Sequence, residues 1–267
     1  MSECHETVEI REGRYLYSVI NSGVKLSFGE IGIDDNRVYT IPDKDIAAVV
    51  HSCHAEAYRT QDNGKAKEWI FAHNYVIDCA SKQFGTVLPF AFGVVVRGSD
   101  ETVRNWLAEN YKKLKNGLEK VNNKAEYSIQ IFCDEDRITE KLARSDQGLK
   151  ELKEKMEDVS KGTAYLIQRQ FELKIKDAIA VEIFMLAADF GSKIREHVEE
   201  SKVEKKKSEV PEKYKGMKLI VALSCIVHKD RVEKLGEVLD EINNSDGFAV
   251  RFTGPWAPFS FVDLNGD

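Results

Sequence analysis

Residues 248–262 read Phe-Ala-Val-Arg-Phe-Thr-Gly-Pro-Trp-Ala-Pro-Phe-Ser-Phe-Val, and no helix can accommodate them. Phe248, Val250 and Phe252 alternate with Ala249, Arg251 and Thr253, the period of a strand with one apolar, aromatic face. Gly254-Pro255 should then break the ladder, because Pro255 has no N–H to donate and its φ is fixed. Pro258 repeats the constraint and biases Ala257 towards an extended backbone. Trp256, Phe259 and Phe261 thus sit on a stiff, non-helical segment. Such a hook either covers a core edge or docks a partner, since aromatics on stiff backbone lose little entropy on binding. It holds no group that does chemistry.

Upstream, the pattern reads as strands followed by helix, strand, helix, strand. Tyr15, Tyr17 and Val19 share one face of a strand over residues 14–20. Phe28–Ile33 and Arg37–Ile41 flank the turn residues Asp34-Asp35-Asn36 and predict a hairpin. Ile46–Val50 is a short apolar strand. Trp69, His73, Val76, Ile77, Ala80 and Phe84 fall at helical spacing within residues 65–84. A strand is expected over Thr86–Arg97 with Leu88, Phe90, Phe92, Val94 and Val96 on one side. Ser99 caps a helix carrying Val103, Leu107, Tyr111, Leu114 and Leu118. Tyr127, Ile129 and Ile131 mark a closing strand. This order suggests a modified ferredoxin-like α+β domain over residues 1–133, with one sheet face packed on two helices.

Residues 134–267 form the second expected domain. Two short charged helices, broken near Gly148, precede one long helix over residues 162–201, roughly 60 Å at 1.5 Å per residue. Its middle, Ala178–Ala188, is apolar on nearly every side and needs cover from both domains or from a partner. A Lys/Glu-rich linker over residues 202–215 leads to a terminal β-α-β unit. In it, Lys218–Val227 is apolar on both faces and should be central, and Asp230 and Glu233 have capping-box spacing. The C-terminal domain is therefore α+β, with a long helix and a small ferredoxin-like sheet.

A chain of 267 residues with 42% apolar and 31% charged residues is an ordinary globular protein of two domains. A net charge of −6 argues against nucleic acid or an anionic membrane surface as partner. No apolar run approaches the ~20 residues of a membrane span, and the acidic, polar start is unlike a signal peptide. Five scattered cysteines without a Cys-x-x-Cys indicate reduced thiols and a cytoplasmic location.

The search for chemistry assigns no catalytic, cofactor-binding or metal-binding residue. His51-Ser-Cys-His54 follows a strand and lacks a completing pair, and Cys4-His5 is remote from it. His73 reads as a core histidine and His228 as a surface loop residue. Asp177, Glu182 and Asp189 face solvent or pair with Lys174 and Lys193. Asn63-Gly64-Lys65 lacks the spacing of a P-loop, and no nucleophile elbow or dinucleotide-binding turn is present. Gly29-Glu-Ile-Gly32 belongs to the hairpin, and Lys205-Lys206-Lys207 reads as part of a solvated tether.

Three blocks carry a family resemblance. Thr253-Gly-Pro-Trp-Ala-Pro-Phe-Ser-Phe-Val262 resembles the C-terminal Gly-Pro-Trp-Pro-Pro-Tyr-Ser-Phe signature of the GvpF/GvpL gas vesicle protein family, with Ala257 and Phe259 as departures. Thr86-Val-Leu-Pro-Phe-Ala-Phe-Gly93 resembles its Val-Leu-Pro-Leu-Arg-Phe-Gly, with Ala91 in place of the arginine. Gly162-Thr-Ala-Tyr-Leu166 resembles its Gly-Arg-Ala-Tyr-Leu. The resemblance implies a two-domain accessory structural protein of gas vesicle formation, cytoplasmic and associated with the vesicle. It would bind the very hydrophobic major shell protein during nucleation or early assembly, and other accessory gas vesicle proteins. From the aromatic strand and the hook, the expected contact residues are Pro89, Phe90, Phe92, Gly254, Pro255, Trp256 and Phe259. The alternative is a ferredoxin-like ligand-binding or enzymatic domain using the interdomain cleft. That alternative requires a pocket of converging polar groups and a perturbed titratable residue, whereas an assembly protein requires an exposed apolar patch.

Overall fold

The computed structural model describes residues 12–157, 159–204, 210–262 and 264. The readings placed on the chain start, on Cys4-His5 and on Lys205-Lys206-Lys207 lie outside the described residues. The chain divides into two compact units, Met1–Glu126 with Pro255–Asp267, and Tyr127–Gly254. The terminal residues from Pro255 onward thus group with the first unit, where residues 134–267 had been expected to form one domain.

The first unit runs β1 (Glu12–Ile20), β2 (Ser27–Gly29), β3 (Val38–Asp43), β4 (Ile46–His54), α1 (Asn63–Phe84), β5 (Leu88–Pro89), β6 (Val95–Arg97) and α2 (Asp100–Val121). Its six-stranded sheet has the order β2-β3-β4-β1-β5, with β6 also on β1. The pairs β1–β4, β1–β5, β1–β6, β2–β3 and β3–β4 are antiparallel.

Alternate side chains of β4 leave for opposite layers. Ala47 and Val49 pack with Val76, Ile77 and Ala80 of α1. Ile46, Ala48 and Val50 pack with Val103, Leu107, Leu114 and Leu118 of α2. The two helices therefore cover opposite faces, and β1 is buried along both. This corrects the ferredoxin-like expectation of both helices on one face. Each buried aliphatic side chain contributes about 1.5–3 kcal/mol, so moving α2 to the α1 side would uncover a row of them.

Two irregularities re-aim side chains. The β1–β4 register slips between Leu16 and Ser18, and a one-residue bulge reverses the facing of all that follows. Tyr15, Tyr17 and Ile20 face α1, while Leu16 and Val19 face α2; Val19 had been expected beside the tyrosines. The strand expected over Thr86–Arg97 is interrupted between β5 and β6. Pro89 lacks an N–H, and Gly93 adopts φ +91°, a region that favours glycine. Phe92 turns towards α1 while Phe90, Val94 and Val96 stay on the α2 side.

The strand expected to close that sheet lies in another one. β7 (Lys124–Cys133) leads into α3 (Glu135–Ser145), α4 (Gln147–Glu157), α5 (Lys161–Arg195), β8 (Glu200–Val203), β9 (Lys218–His228), α6 (Val232–Asn243) and β10 (Phe248–Trp256). The second sheet has the order β10-β7-β9-β8, so β9, apolar on both faces, is internal. The long helix stops at Arg195, short of the expected residue 201. Residues 200–203 instead pair antiparallel with β9, flanked by Glu199 N–H to Ile226 O at 2.9 Å and Glu204 N–H to Ala222 O at 3.0 Å. Covering the open edge of β9 outweighs the helical preference of a charged segment. The end of the expected linker is also anchored: Tyr214 stacks on Phe132, with ring centroids 4.4 Å apart. The capping box does not form; His228 Nδ1 accepts from Asp230 N–H at 3.3 Å, and α6 begins without a side-chain cap.

Candidate functional site

Helix α1 is started by Asp62, whose Oδ1 accepts from Gly64 N–H at 2.7 Å and Lys65 N–H at 3.3 Å. Its expected stripe of Trp69, His73, Val76, Ile77, Ala80 and Phe84 packs inward. Beside that stripe, Ile70, Asn74 and Asp78 at spacing i, i+4, i+8 remain exposed. On the other side stands the C-terminal hook. β10 does not break at Gly254-Pro255 as expected but continues to Trp256. It is an edge strand, where a residue without an N–H is tolerated.

The hook then folds on itself. Phe259 N–H donates to Ala257 O at 2.8 Å and Phe261 N–H to Pro258 O at 3.1 Å. Ser260 fastens it to Glu126, donating from N–H to Oε2 at 2.8 Å and from Oγ to Oε1 at 2.5 Å. Phe261 is buried, so it serves as the anchor, while Trp256 is 53% exposed and Phe259 38% exposed.

Between α1 and the hook lies a groove of about 510 Å³, whose lining includes Ile70, His73, Ile77, Phe92, Trp256 and Phe259. Asn74 and Asp78 are its exposed polar members on α1. Phe71, 73% exposed, and Tyr75 lie alongside on the same helix. The groove and these two side chains place several large apolar groups at the surface of one helix.

Beneath the groove is a network of buried tyrosines and histidines. Tyr15 Oη accepts from Gly93 N–H at 3.0 Å and donates to His73 Nδ1 at 2.9 Å, because Phe90 O can only accept and so takes the proton of Nε2. His73 Nε2–H then donates to Phe90 O at 3.2 Å. Tyr17 Oη accepts from Ile33 N–H at 3.0 Å and shares a hydrogen bond with His51 Nδ1 at 2.7 Å, while His51 Nε2 shares one with Tyr58 Oη at 2.8 Å. The carbonyl partner thus fixes His73 as the neutral ring with its proton on Nε2. Burial pushes each pKa down to about 4 and raises those of the Tyr15, Tyr17 and Tyr58 hydroxyls.

His73 has both nitrogens engaged in core bonds, so it borders the groove without acting as a base in it. His51 and His54 are three apart on β4 and face opposite sides; His51 is buried and His54 exposed. Among the described residues, no group of three or more His, Cys, Asp or Glu is gathered to hold a metal ion.

Of the expected contact residues, the groove brings together Phe92, Trp256 and Phe259. Gly254 and Pro255 are exposed and lead into it. Pro89 and Phe90 are buried, Phe90 in the core under α2, and offer no surface. Sequence reasoning missed Ile70, Asn74 and Asp78. The available signal was that Ile70, Phe71 and Tyr75 are large apolar side chains off the buried stripe of α1.

In the second unit, α5 buries Ile175, Ile183, Phe190 and Ile194. Its middle is not covered on every side: Val181, Phe184 and Met185 are exposed, Phe184 by 74%. A charged groove of about 710 Å³ beside α3 and α5 holds mutually paired groups, Asp189 with Lys193 at 2.8 Å and Arg137 with Asp246 at 3.8 Å. Lys174 pairs with Asp146 at 3.7 Å. No helix among the described residues is long and apolar enough to cross a membrane.

The family model "Gas vesicle synthesis protein GvpL/GvpF" matches residues 13–263. Gas vesicle protein L1 of Halobacterium salinarum is 29% identical over 262 residues, covering 97% of this chain and 93% of that protein. Gas vesicle protein L of Haloferax mediterranei is 27% identical, covering 98% of this chain and 91% of its own length. In fold, the chain is similar to the crystal structure of the gas vesicle protein GvpF from Anabaena sp. PCC7120. The TM-score is 0.71 at 18% identity, over 96% of this chain and 100% of that one.

Proposed function

The chain belongs to the GvpL/GvpF family of gas vesicle synthesis proteins, and from that premise we propose that it binds the hydrophobic major shell protein during nucleation or early assembly of the gas vesicle. The observation that carries this reading is the α1–hook groove, where Ile70, Phe92, Trp256 and Phe259 converge on an apolar surface left open to solvent. A subunit destined for an apolar shell has surface that aggregates unless it is held, and rigid aromatics hold such surface at low entropic cost. Trp256 is the expected hot spot, since large aromatics at the centre of a contact carry most of its free energy.

The test is co-expression with the major shell protein followed by capture of this chain. Trp256→Ala, half-exposed and outside the core clusters, should keep its circular dichroism and thermal midpoint while retained shell protein falls about tenfold or more. Unchanged retention by a folded Trp256→Ala, together with unchanged retention by Ile70→Asp, would exclude the groove.

A further inference from the structure

We propose that the occupant of the groove is an amphipathic helix of the bound protein, held by apolar anchors between α1 and the hook and by one charge at each end. This deepens the shell-protein reading and rests on it. The argument begins with what the walls offer. The backbone of α1 is used within the helix, and the hook turns Phe259 N–H and Phe261 N–H onto its own carbonyls. These walls therefore present side chains, and the edge strand β10 contributes only its last residue, Trp256, to the lining. A segment added as a strand would leave its own N–H and C=O groups unpaired, at a cost of about 1–3 kcal/mol for each one buried. A helix satisfies its backbone internally and needs only side-chain complementarity.

The charges give the direction of fit. Lys67, Ile70, Asn74 and Asp78 follow one another at +3, +4 and +4 and so form a single row on α1. Lys67 and Asp78 are exposed, and neither is engaged in an ion pair among the described residues, whereas the nearby Lys65 is held by Asp34 at 2.6 Å. From Lys67 to Asp78 the row is thus positive at one end, carries Ile70 and the polar Asn74 in the middle and is negative at the other, spanning about 16 Å at ~1.5 Å per residue; the exposed Lys82 follows at +4, outside the groove's lining. Its complement is a helix of about three turns, with an acidic residue against Lys67, a basic residue against Asp78 and aliphatic or aromatic side chains between.

The experiment uses the full chain co-expressed with the major shell protein. A photo-crosslinking p-benzoylphenylalanine is placed at position 71 in one variant and at position 256 in another. Crosslinked shell-protein residues spaced by three and four along its sequence are the expected result, and spacing by two overturns the helical occupant. A second arm compares Asp78→Lys with Asp78→Asn. Both should fold, because Asp78 is exposed. Retention should fall about tenfold or more for the lysine variant, from like-charge juxtaposition, and less for asparagine. Equal retention by all three, while Trp256→Ala loses binding, overturns the charge-aligned helix and leaves the shell-protein reading standing. No crosslink at either position, with retention unaffected by Trp256→Ala, overturns both.

Discussion

His51 and His73 show how far a single residue's role is decided by its surroundings. His73 accepts a hydrogen bond from the Tyr15 hydroxyl at Nδ1 and donates from Nε2, so a second proton would face a hydroxyl already aimed at the ring, and both nitrogens of His51 are engaged by tyrosine hydroxyls. Burial lowers both pKa values from 6.5 to about 4. Below pH 6.5 the unfolded chain takes up protons that the folded chain refuses. The stabilisation is therefore complete above pH 6.5 and is lost as pH falls towards 4, by up to about 1.4 kcal/mol per pH unit for each histidine. The urea midpoint should be lower at pH 5 than at pH 7. His73→Phe, which strands the Tyr15 hydroxyl proton and Phe90 O, should cost about 1–3 kcal/mol at pH 7 yet show a shallower pH dependence; an unchanged slope would mean that His73 titrates normally. The core placement of His73 was legible from its helical spacing. The partners of His51 were not, because Tyr17 lies 34 positions away in sequence.

At the scale of elements, helix α5 has two apolar sides with different fates. Ile183, Phe190 and Ile194 are buried, while Phe184 and Met185 are not. Ile183→Ala should destabilise the second unit by about 2–4 kcal/mol, read as a lower urea midpoint. Phe184→Glu should leave stability within about 0.5 kcal/mol and raise solubility, by removing apolar surface from water. Comparable losses from both would mean that the Phe184 side is covered in solution. Periodicity located this helix but could not rank its faces, since Ala178–Ala188 is apolar nearly all round. The edge strand β10 makes a related point. The outward N–H of Val250 is met by Asn243 Oδ1 at 3.0 Å, and its C=O by the Tyr214 hydroxyl at 3.3 Å. Only the fold could show that the strand is an edge, and hence why Pro255 does not end it.

On the scale of the whole molecule, the hook is part of the unit from which it is most distant in sequence. Truncation after Gly254 removes the buried Phe261 and the Ser260–Glu126 bonds, a loss of about 1.5–3 kcal/mol for the aromatic alone. Hydrogen exchange should then accelerate in α1 and β1, with β9 less affected. Unchanged exchange in α1 and β1 would mean that the hook adds no stability to the first unit. Point substitution at Trp256 is for this reason a cleaner probe of binding than removal of the tail. By itself the sequence determined the kind and approximate extent of most elements, the aromatic hook and the family blocks, because hydrophobic period, caps and proline constraints act over a few residues. Tertiary structure alone decided which sheet β7 joins, that α1 and α2 take opposite faces, and that Ile70, Phe92 and Trp256 meet in one groove. Those outcomes are set by which buried surfaces and open strand edges are satisfied together. That free energy depends on residues far apart in the chain and leaves no local period to read.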